Sequence, residues 1–190
     1  MRCISCEDIS LEIICKKCQE NLLVSSFNKR EISKDFFVFS FYRYEDIKEL
    51  LNSKYEFFGD RVFNILAQLS FKIFADNFNV DETVYAIPID DHTRHQFSQT
   101  AILARSLNSR GIKPVYNSLK ASNIVKYAGC DLEYRKKNPR DFKYRGKRNL
   151  KVILVDDLVT SGLTIIEAKK KLQEYNCEVL FALTLADVKF

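Results

Sequence analysis

The pattern of apolar and polar residues along the chain predicts alternating strands and helices. Four stretches are rich in β-branched or aromatic residues and predict buried strands: residues 36–44, 83–89, 152–155 and 178–186. Four others carry apolar residues at helical spacing: residues 45–53, 61–78, 97–110 and 165–175. Residues 115–119 predict a short strand, and the patternless residues 21–34 predict a linker. This alternation is typical of an α/β protein with a mainly parallel sheet flanked by helices.

The most informative stretch is residues 152–165, where a buried strand leads into a polar turn and then a helix. Asp156 and Asp157 follow the apolar run, and the turn contains Thr160, Ser161, Gly162, Leu163 and Thr164. A turn at a helix N-terminus presents N–H groups and the positive end of the helix dipole, which bind anions. Carboxylates repel a phosphate, so the acid pair favours a sugar phosphate whose hydroxyls donate to the acids. The alternative is a structural turn with an N-cap hydroxyl and solvated acids.

Four cysteines at the N-terminus have the spacing of metal ligands. Cys3 and Cys6 form one C-x-x-C pair, and Cys15 and Cys18 form a second. Two such pairs can place four thiolates around a tetrahedral Zn²⁺, and a closed four-cysteine site is structural. A segment of about twenty residues cannot bury a core of its own, so metal binding would supply its folding energy. Disulfides or a thioredoxin-like redox pair are the alternatives.

A basic segment lies before the strand at residue 152. Residues 134–151 contain nine Lys or Arg residues against a single acid, Asp141. Such a run can follow a polyanion, and interleaved tyrosine and phenylalanine rings can stack on bases. The candidates for DNA contact are Arg135, Lys136, Lys137 and Arg140. A solvated loop is the alternative, because charge runs are commonly solvated.

Composition places the chain among folded globular proteins. It has 190 residues, 46% of them hydrophobic, with a modest net charge of +5. No apolar run reaches the roughly eighteen residues of a transmembrane helix, and the N-terminus lacks the apolar core of a secretory signal. We therefore expect a cytoplasmic protein that is not an integral membrane protein, in a compartment that keeps thiols reduced.

The stretch from residue 152 to residue 165 resembles the phosphoribosyl diphosphate (PRPP) motif of type I phosphoribosyltransferases. The resemblance implies that Asp156 and Asp157 hold the ribose hydroxyls and that Thr160 through Thr164 hold the 5′-phosphate. It also places the diphosphate and its Mg²⁺ near the loop after the strand at residues 83–89. The candidates there are Lys54, Asp90, Asp91 and Arg94.

Nearly the whole chain resembles the ComF family of competence proteins, and within it the ComFC proteins. The resemblance rests on the four cysteines, the PRPP motif and shorter matches that include Phe41 through Tyr44 and Ile87-Pro88. It implies a zinc ribbon at residues 1–24 and a phosphoribosyltransferase-like domain at residues 35–190, with a mobile basic lid at about residues 120–149. The chain departs from the family pattern at His95, Gln96 and Ser98.

The resemblance implies a role in DNA uptake during natural transformation. In that role the protein would bind PRPP or a related phosphoribose ligand and single-stranded DNA, with DNA-uptake channel or helicase components as possible partners. The alternatives are an active phosphoribosyltransferase that releases diphosphate, and a PRPP-sensing regulator.

Overall fold

The computed structural model describes residues 1–89, 97–123, 133 and 137–190. In this part of the chain the helices are α1 (Lys16–Leu22), α2 (Tyr44–Asn52), α3 (Gly59–Ala67), α4 (Ile73–Asn77), α5 (Gln99–Ser106) and α6 (Leu163–Gln173). The strands are β1 (Asn28–Ser33), β2 (Phe36–Arg43), β3 (Val84–Pro88), β4 (Ile112–Pro114), β5 (Leu119–Ala121), β6 (Phe142–Tyr144), β7 (Lys151–Val159) and β8 (Glu178–Asp187).

Six strands form the central sheet, in the order β1-β2-β8-β7-β3-β4. All neighbours are parallel except β1, which pairs antiparallel with β2 at one edge. The carboxyl ends of the five parallel strands therefore meet at one edge of the sheet, which is where open α/β sheets bind ligands. Strands β5 and β6 form a separate antiparallel pair.

The central strands are buried on both faces because alternate residues enter two different hydrophobic clusters. On β7, Ile153 and Val155 pack with α2, α3 and α5, whereas Val152 and Leu154 pack with α6 and the β5–β6 pair. A strand covered on both sides requires a continuous apolar run. This arrangement confirms the predicted α/β class, with a mostly parallel sheet flanked by helices.

The N-terminal segment packs against the first of these clusters. Ile14 is fully buried and Leu23 nearly so, in the same cluster as Phe41 and Tyr42 of β2. The hydroxyl of Tyr42 donates to the backbone oxygen of Leu23 at 3.1 Å. The division of the chain at residues 1–24 and 35–190 stays a prediction.

Several predicted elements differ from the observed ones. The segment at 21–34, predicted as a linker, contains the end of α1 and the whole of β1. The strand predicted at 115–119 is mostly the connection between β4 and β5, and only its last residue, Leu119, belongs to a strand. The helix predicted at 61–78 consists of α3 and α4 joined by one π-helical turn, Gln68–Lys72. Among the described residues, no helix combines the length and apolar character needed to cross a bilayer.

Candidate functional site

Strand β7 delivers two carboxylates to the carboxyl edge of the sheet. The sequence predicts that the two acids end the strand, but β7 runs past Asp156 and Asp157 to Val159. The reason is that β8 continues alongside: Asp156 pairs with Thr184, and Val159 pairs with Asp187. The two acids are therefore held by the sheet and do not lie in a loop.

The turn after β7 depends on the conformational freedom of glycine. Gly162 has a φ of 83° and stands at the N-cap of α6. A side chain there would meet Ile32 of β1, since a Cβ atom would lie 3.0 Å from the Ile32 Cβ. The backbone N–H of Leu163 donates to the Ser161 hydroxyl at 3.4 Å, and that of Ile166 donates to the Gly162 oxygen at 3.0 Å. The predicted phosphate loop, Thr160 through Thr164, is thus the N-terminal cap of an eleven-residue helix, a position suited to an anion.

A lysine from a different element contacts the acid pair. Lys54, in the short 3₁₀ turn after α2, places its Nζ 2.8 Å from Oδ2 of Asp157. Both side chains are largely buried, with 21% of Lys54 and 10% of Asp157 exposed. The carboxylate of Asp157 raises the pKa of Lys54 to about 12. Lys54 was expected near the diphosphate, and the structure places it against a residue predicted to hold the ribose.

The two neighbouring carboxyl groups have opposite electrostatic environments. Burial and the charge of Asp157 raise the pKa of Asp156 well above its ordinary value. Burial also favours the neutral form of Asp157, but the ammonium group of Lys54 outweighs it and lowers the pKa of Asp157. The backbone N–H of Asp157 donates to Oδ1 of Asp156 at 2.9 Å. One acid is therefore held ionised while its neighbour takes up a proton more readily, an arrangement common in ligand and catalytic sites.

The remaining diphosphate candidates lie outside the described residues. These are Asp90, Asp91 and Arg94, together with His95 and Gln96 of the family departures. Ser98, the third departure, is described and has a structural contact: its hydroxyl accepts from the backbone N–H of Ala101 at 3.2 Å and caps α5.

The four N-terminal cysteines come together. The Sγ atoms of Cys3, Cys6, Cys15 and Cys18 all lie within 4.8 Å of one another, and those of Cys6 and Cys15 are 3.7 Å apart. Four sulfurs at about 2.3 Å from a tetrahedral zinc ion would be roughly 3.8 Å apart, so the spacing fits that ion.

The cysteines of the cluster differ in how readily they ionise, and hydrogen bonding favours the thiolate of Cys3. Cys3 Sγ accepts from the backbone N–H groups of Ser5 at 3.4 Å and Cys15 at 3.3 Å. Burial acts to raise the pKa of Cys3, but these donors lower it to about 6. Burial and the neighbouring sulfurs raise the pKa of Cys18 to about 12. Four crowded thiols cannot all ionise unless a cation balances their charge.

The described part of the predicted lid contacts α6, the helix that follows the phosphate loop. Strand β5 lies at the start of the predicted lid and pairs with β6, with Leu119 opposite Tyr144. The backbone N–H of Arg140 donates to Oε2 of Glu167 on α6 at 2.9 Å. Of the DNA candidates, Lys137 is exposed and Arg140 is half-buried, while Arg135 and Lys136 lie outside the described residues.

Sequence reasoning missed the residues that support the loop from the edge strand. Arg30 of β1 donates from Nε to Oδ2 of Asp187 at 2.7 Å, and from Nη2 to the backbone oxygen of Thr160 at 3.0 Å. The short, polar pattern of residues 28–33 gives no strand signal, because an edge strand with one partner needs little apolar surface. Asp187, an acid at the end of an apolar strand, is a weak sequence signal that a buried cation partner lies nearby.

Comparisons with known proteins identify no family. No protein-family model matches the chain, and no curated protein matches it. Among solved structures, the chain is similar to a crystal structure of adenine phosphoribosyltransferase, with a TM-score of 0.42 and 13% identity. The match covers 90% of this chain and 91% of the other. A likeness of this degree carries no inference about function.

Proposed function

We propose that the protein binds PRPP, or a related phosphoribose ligand, at the carboxyl edge of β7. The supporting observation is that two adjacent sheet-held acids, Asp156 and Asp157, lie two residues before the end of β7, where the Gly162 turn leads into the N-terminus of α6. An acid pair suits the vicinal hydroxyls of a ribose, and the turn suits its 5′-phosphate. The acid pair and the turn are only a few residues apart, as they must be to bind the ribose and the phosphate of one sugar phosphate.

Lys54 makes this edge compatible with an anionic ligand. Its ammonium group balances the charge of Asp157, and the raised pKa of Asp156 favours the neutral form of that second carboxyl. The N–H groups and hydroxyls of the loop then hold the phosphate. Mg²⁺ would accompany the diphosphate of PRPP, with Asp90 and Asp91 as the sequence-based candidates for that end of the site.

Calorimetric titration of PRPP with Mg²⁺ tests the proposal. The wild type should bind saturably, and the double variant Asp156→Asn/Asp157→Asn should lose binding. Asp76→Asn on α4 is a control that removes an exposed carboxylate elsewhere, and its affinity should equal that of the wild type. Absence of binding by the wild type would refute the proposal.

We propose Zn²⁺ as the ion of the four-cysteine cluster, in a structural role. The support comes from the 3.7 Å separation of two of the sulfurs and from the closed set of four donors, which leaves no position for a substrate. The purified protein should contain one zinc per chain, and Co²⁺ substitution should give the absorption of a tetrahedral thiolate site. A metal content near zero, or an octahedral cobalt spectrum, would contradict the assignment.

We further propose that the protein acts in the cytoplasm in DNA uptake and binds single-stranded DNA. Support comes from the resemblance to the ComF family and from the basic segment, in which Arg140 contacts Glu167 of α6, the helix that follows the phosphate loop. The double variant Lys136→Gln/Lys137→Gln should reduce the slope of log affinity against log salt by about 1.4, the value for two lost phosphate contacts on single-stranded DNA. The matched control Lys16→Gln/Lys17→Gln removes the same charge from α1 and should leave the slope unchanged.

The acid pair also supports a second candidate, an active phosphoribosyltransferase. Neighbouring carboxyl groups whose pKa values move apart are typical of acid–base and charge-stabilising sites. A transferase would release diphosphate from PRPP when an acceptor is added, whereas a binding protein would not. A screen of nucleobase and amine acceptors for diphosphate release separates the two functions.

A further inference from the structure

Strand β1 contacts the phosphate loop at two points. Arg30 and Ile32 both reach the loop, and the pairing of β1 with β2 is irregular between Glu31 and Ser33, on either side of Ile32. Ile32 packs over Gly162, and Arg30 reaches the backbone oxygen of Thr160 at 3.0 Å. The first and third residues of the loop are thus both in contact with an edge strand that carries none of the predicted ligand-binding groups.

The guanidinium of Arg30 is itself fixed by a buried partner. Its Nε lies 2.7 Å from Oδ2 of Asp187, a side chain with 0% exposure, and 16% of the Arg30 side chain is exposed. The other oxygen of Asp187 accepts from the backbone N–H of Lys189 at 2.8 Å. Asp187 is the last residue of β8, opposite Val159 of β7. Arg30 therefore connects the end of β8 to the first residue of the loop that follows β7.

We infer that Arg30 is a positioning residue for the phosphate loop. By holding the Thr160 carbonyl, it sets the direction in which the chain enters the turn, and so the alignment of the Thr164 hydroxyl and the loop amides on the ligand phosphate. This inference rests on the proposed binding of PRPP and adds to it a residue that makes no contact with the ligand.

The geometry requires arginine because the two acceptors are reached by two nitrogens of one planar group. Lysine has a single nitrogen and keeps the charge, so Arg30→Lys retains an ion pair with Asp187 and loses the hydrogen bond to Thr160. Substitution by glutamine would leave the buried carboxylate of Asp187 without a cation and could prevent folding. Arg30→Lys is for this reason the informative variant.

The experiment measures Mg²⁺-PRPP affinity by calorimetry. Arg30→Lys should raise Kd about tenfold, or about 1.4 kcal/mol, because the loop must then be aligned on the phosphate during binding. The control Lys29→Arg makes the opposite exchange at the adjacent position, where the lysine lies over the ring of Phe37 on the other side of β1, and should leave Kd unchanged.

Two further readouts separate positioning from a general loss of structure. The first is a double-mutant cycle with Thr164→Ala: if Arg30 acts through the alignment of the loop, Arg30→Lys should cost less in the Thr164→Ala background than in the wild type. The second is the Gly162 amide resonance of the ligand-free protein, which should shift in Arg30→Lys and not in Lys29→Arg.

Each outcome has a definite meaning. If the wild type binds PRPP and Arg30→Lys binds equally well, the positioning role is wrong and the proposed function stands. Additive effects in the cycle, with an unchanged Gly162 resonance, would also overturn the positioning role. If the wild type does not bind PRPP, the proposed function is wrong, and the positioning role that rests on it is wrong as well.

Discussion

Asp156 and Asp157 are adjacent carboxylates, yet their replacement by asparagine should change stability in opposite directions. Burial and the neighbouring charge disfavour the ionised form of Asp156, whereas Lys54, at 2.8 Å, favours the ionised form of Asp157. At pH 8 the ionised form of Asp156 therefore destabilises the folded protein, whereas the ion pair of Asp157 with Lys54 stabilises it.

The magnitudes follow from this arrangement. Each unit by which folding raises the pKa of Asp156 corresponds to about 1.4 kcal/mol of destabilisation at high pH. Asp156→Asn removes that cost and keeps an oxygen that can accept from the Asp157 N–H, so we expect a gain of about 1 kcal/mol or more. Breaking a fully buried ion pair costs about 3–5 kcal/mol. Because 21% of Lys54 is exposed and can hydrate, we expect Asp157→Asn to lose a smaller amount, about 1–2 kcal/mol.

The dependence on pH gives a second check on the sign. The folded-state pKa of Asp156 is raised, so the destabilisation that this group causes is complete above that pKa. It decreases as pH falls from that pKa towards the unfolded value of about 3.9. The advantage of Asp156→Asn over the wild type should therefore shrink between pH 8 and pH 5. The folded-state pKa of Asp157 is lowered, so its contribution is fully present above about pH 4 and is lost only as pH falls through the folded pKa. The deficit of Asp157→Asn should persist at pH 5.

Urea unfolding followed by circular dichroism at pH 8 and pH 5 measures these free energies. Metal content must be equal in all samples, and Asp76→Asn, an exposed carboxylate on α4, should stay within about 0.5 kcal/mol of the wild type. The reasoning is refuted if Asp156→Asn destabilises the protein at pH 8, or if both asparagine variants shift stability in the same direction.

Two further predictions concern the metal cluster and the turn. Cys6→Ser should release the metal and lower the unfolding midpoint, as metal analysis and thermal melting would show. Cys177→Ser changes a buried cysteine outside the cluster and should keep full metal content. Zinc retained in Cys6→Ser would exclude a four-thiolate site. Gly162→Ala places a Cβ atom at a φ of 83° and against Ile32, so it should cost about 1–3 kcal/mol of stability and weaken PRPP binding. Adding Ile32→Ala should relieve the clash but not the backbone strain, and full recovery in that double variant would show that the positive φ is not required.

The sequence alone determined the features that depend on neighbouring residues. A continuous apolar run predicts a strand buried on both faces, and β7 is such a strand. The acids, the Gly162 turn and the start of α6 follow within a few residues, so their order in the chain is also their order in space. The two C-x-x-C pairs behave in the same way, because a knuckle places its own two sulfurs together.

The tertiary structure decided how these pieces are supported. Lys54 and Asp157 are 103 residues apart, and Arg30 and Asp187 are 157 apart, so no periodicity or local motif connects them. The polar pattern of β1 gives no strand signal, since its pairing is supplied by β2 and its contacts by a distant loop. The local sequence determines which residues can form the site, because the acids, the turn and the start of α6 are neighbours in the chain. Which side chains set its charge and alignment depends on contacts that exist only after the sheet has assembled.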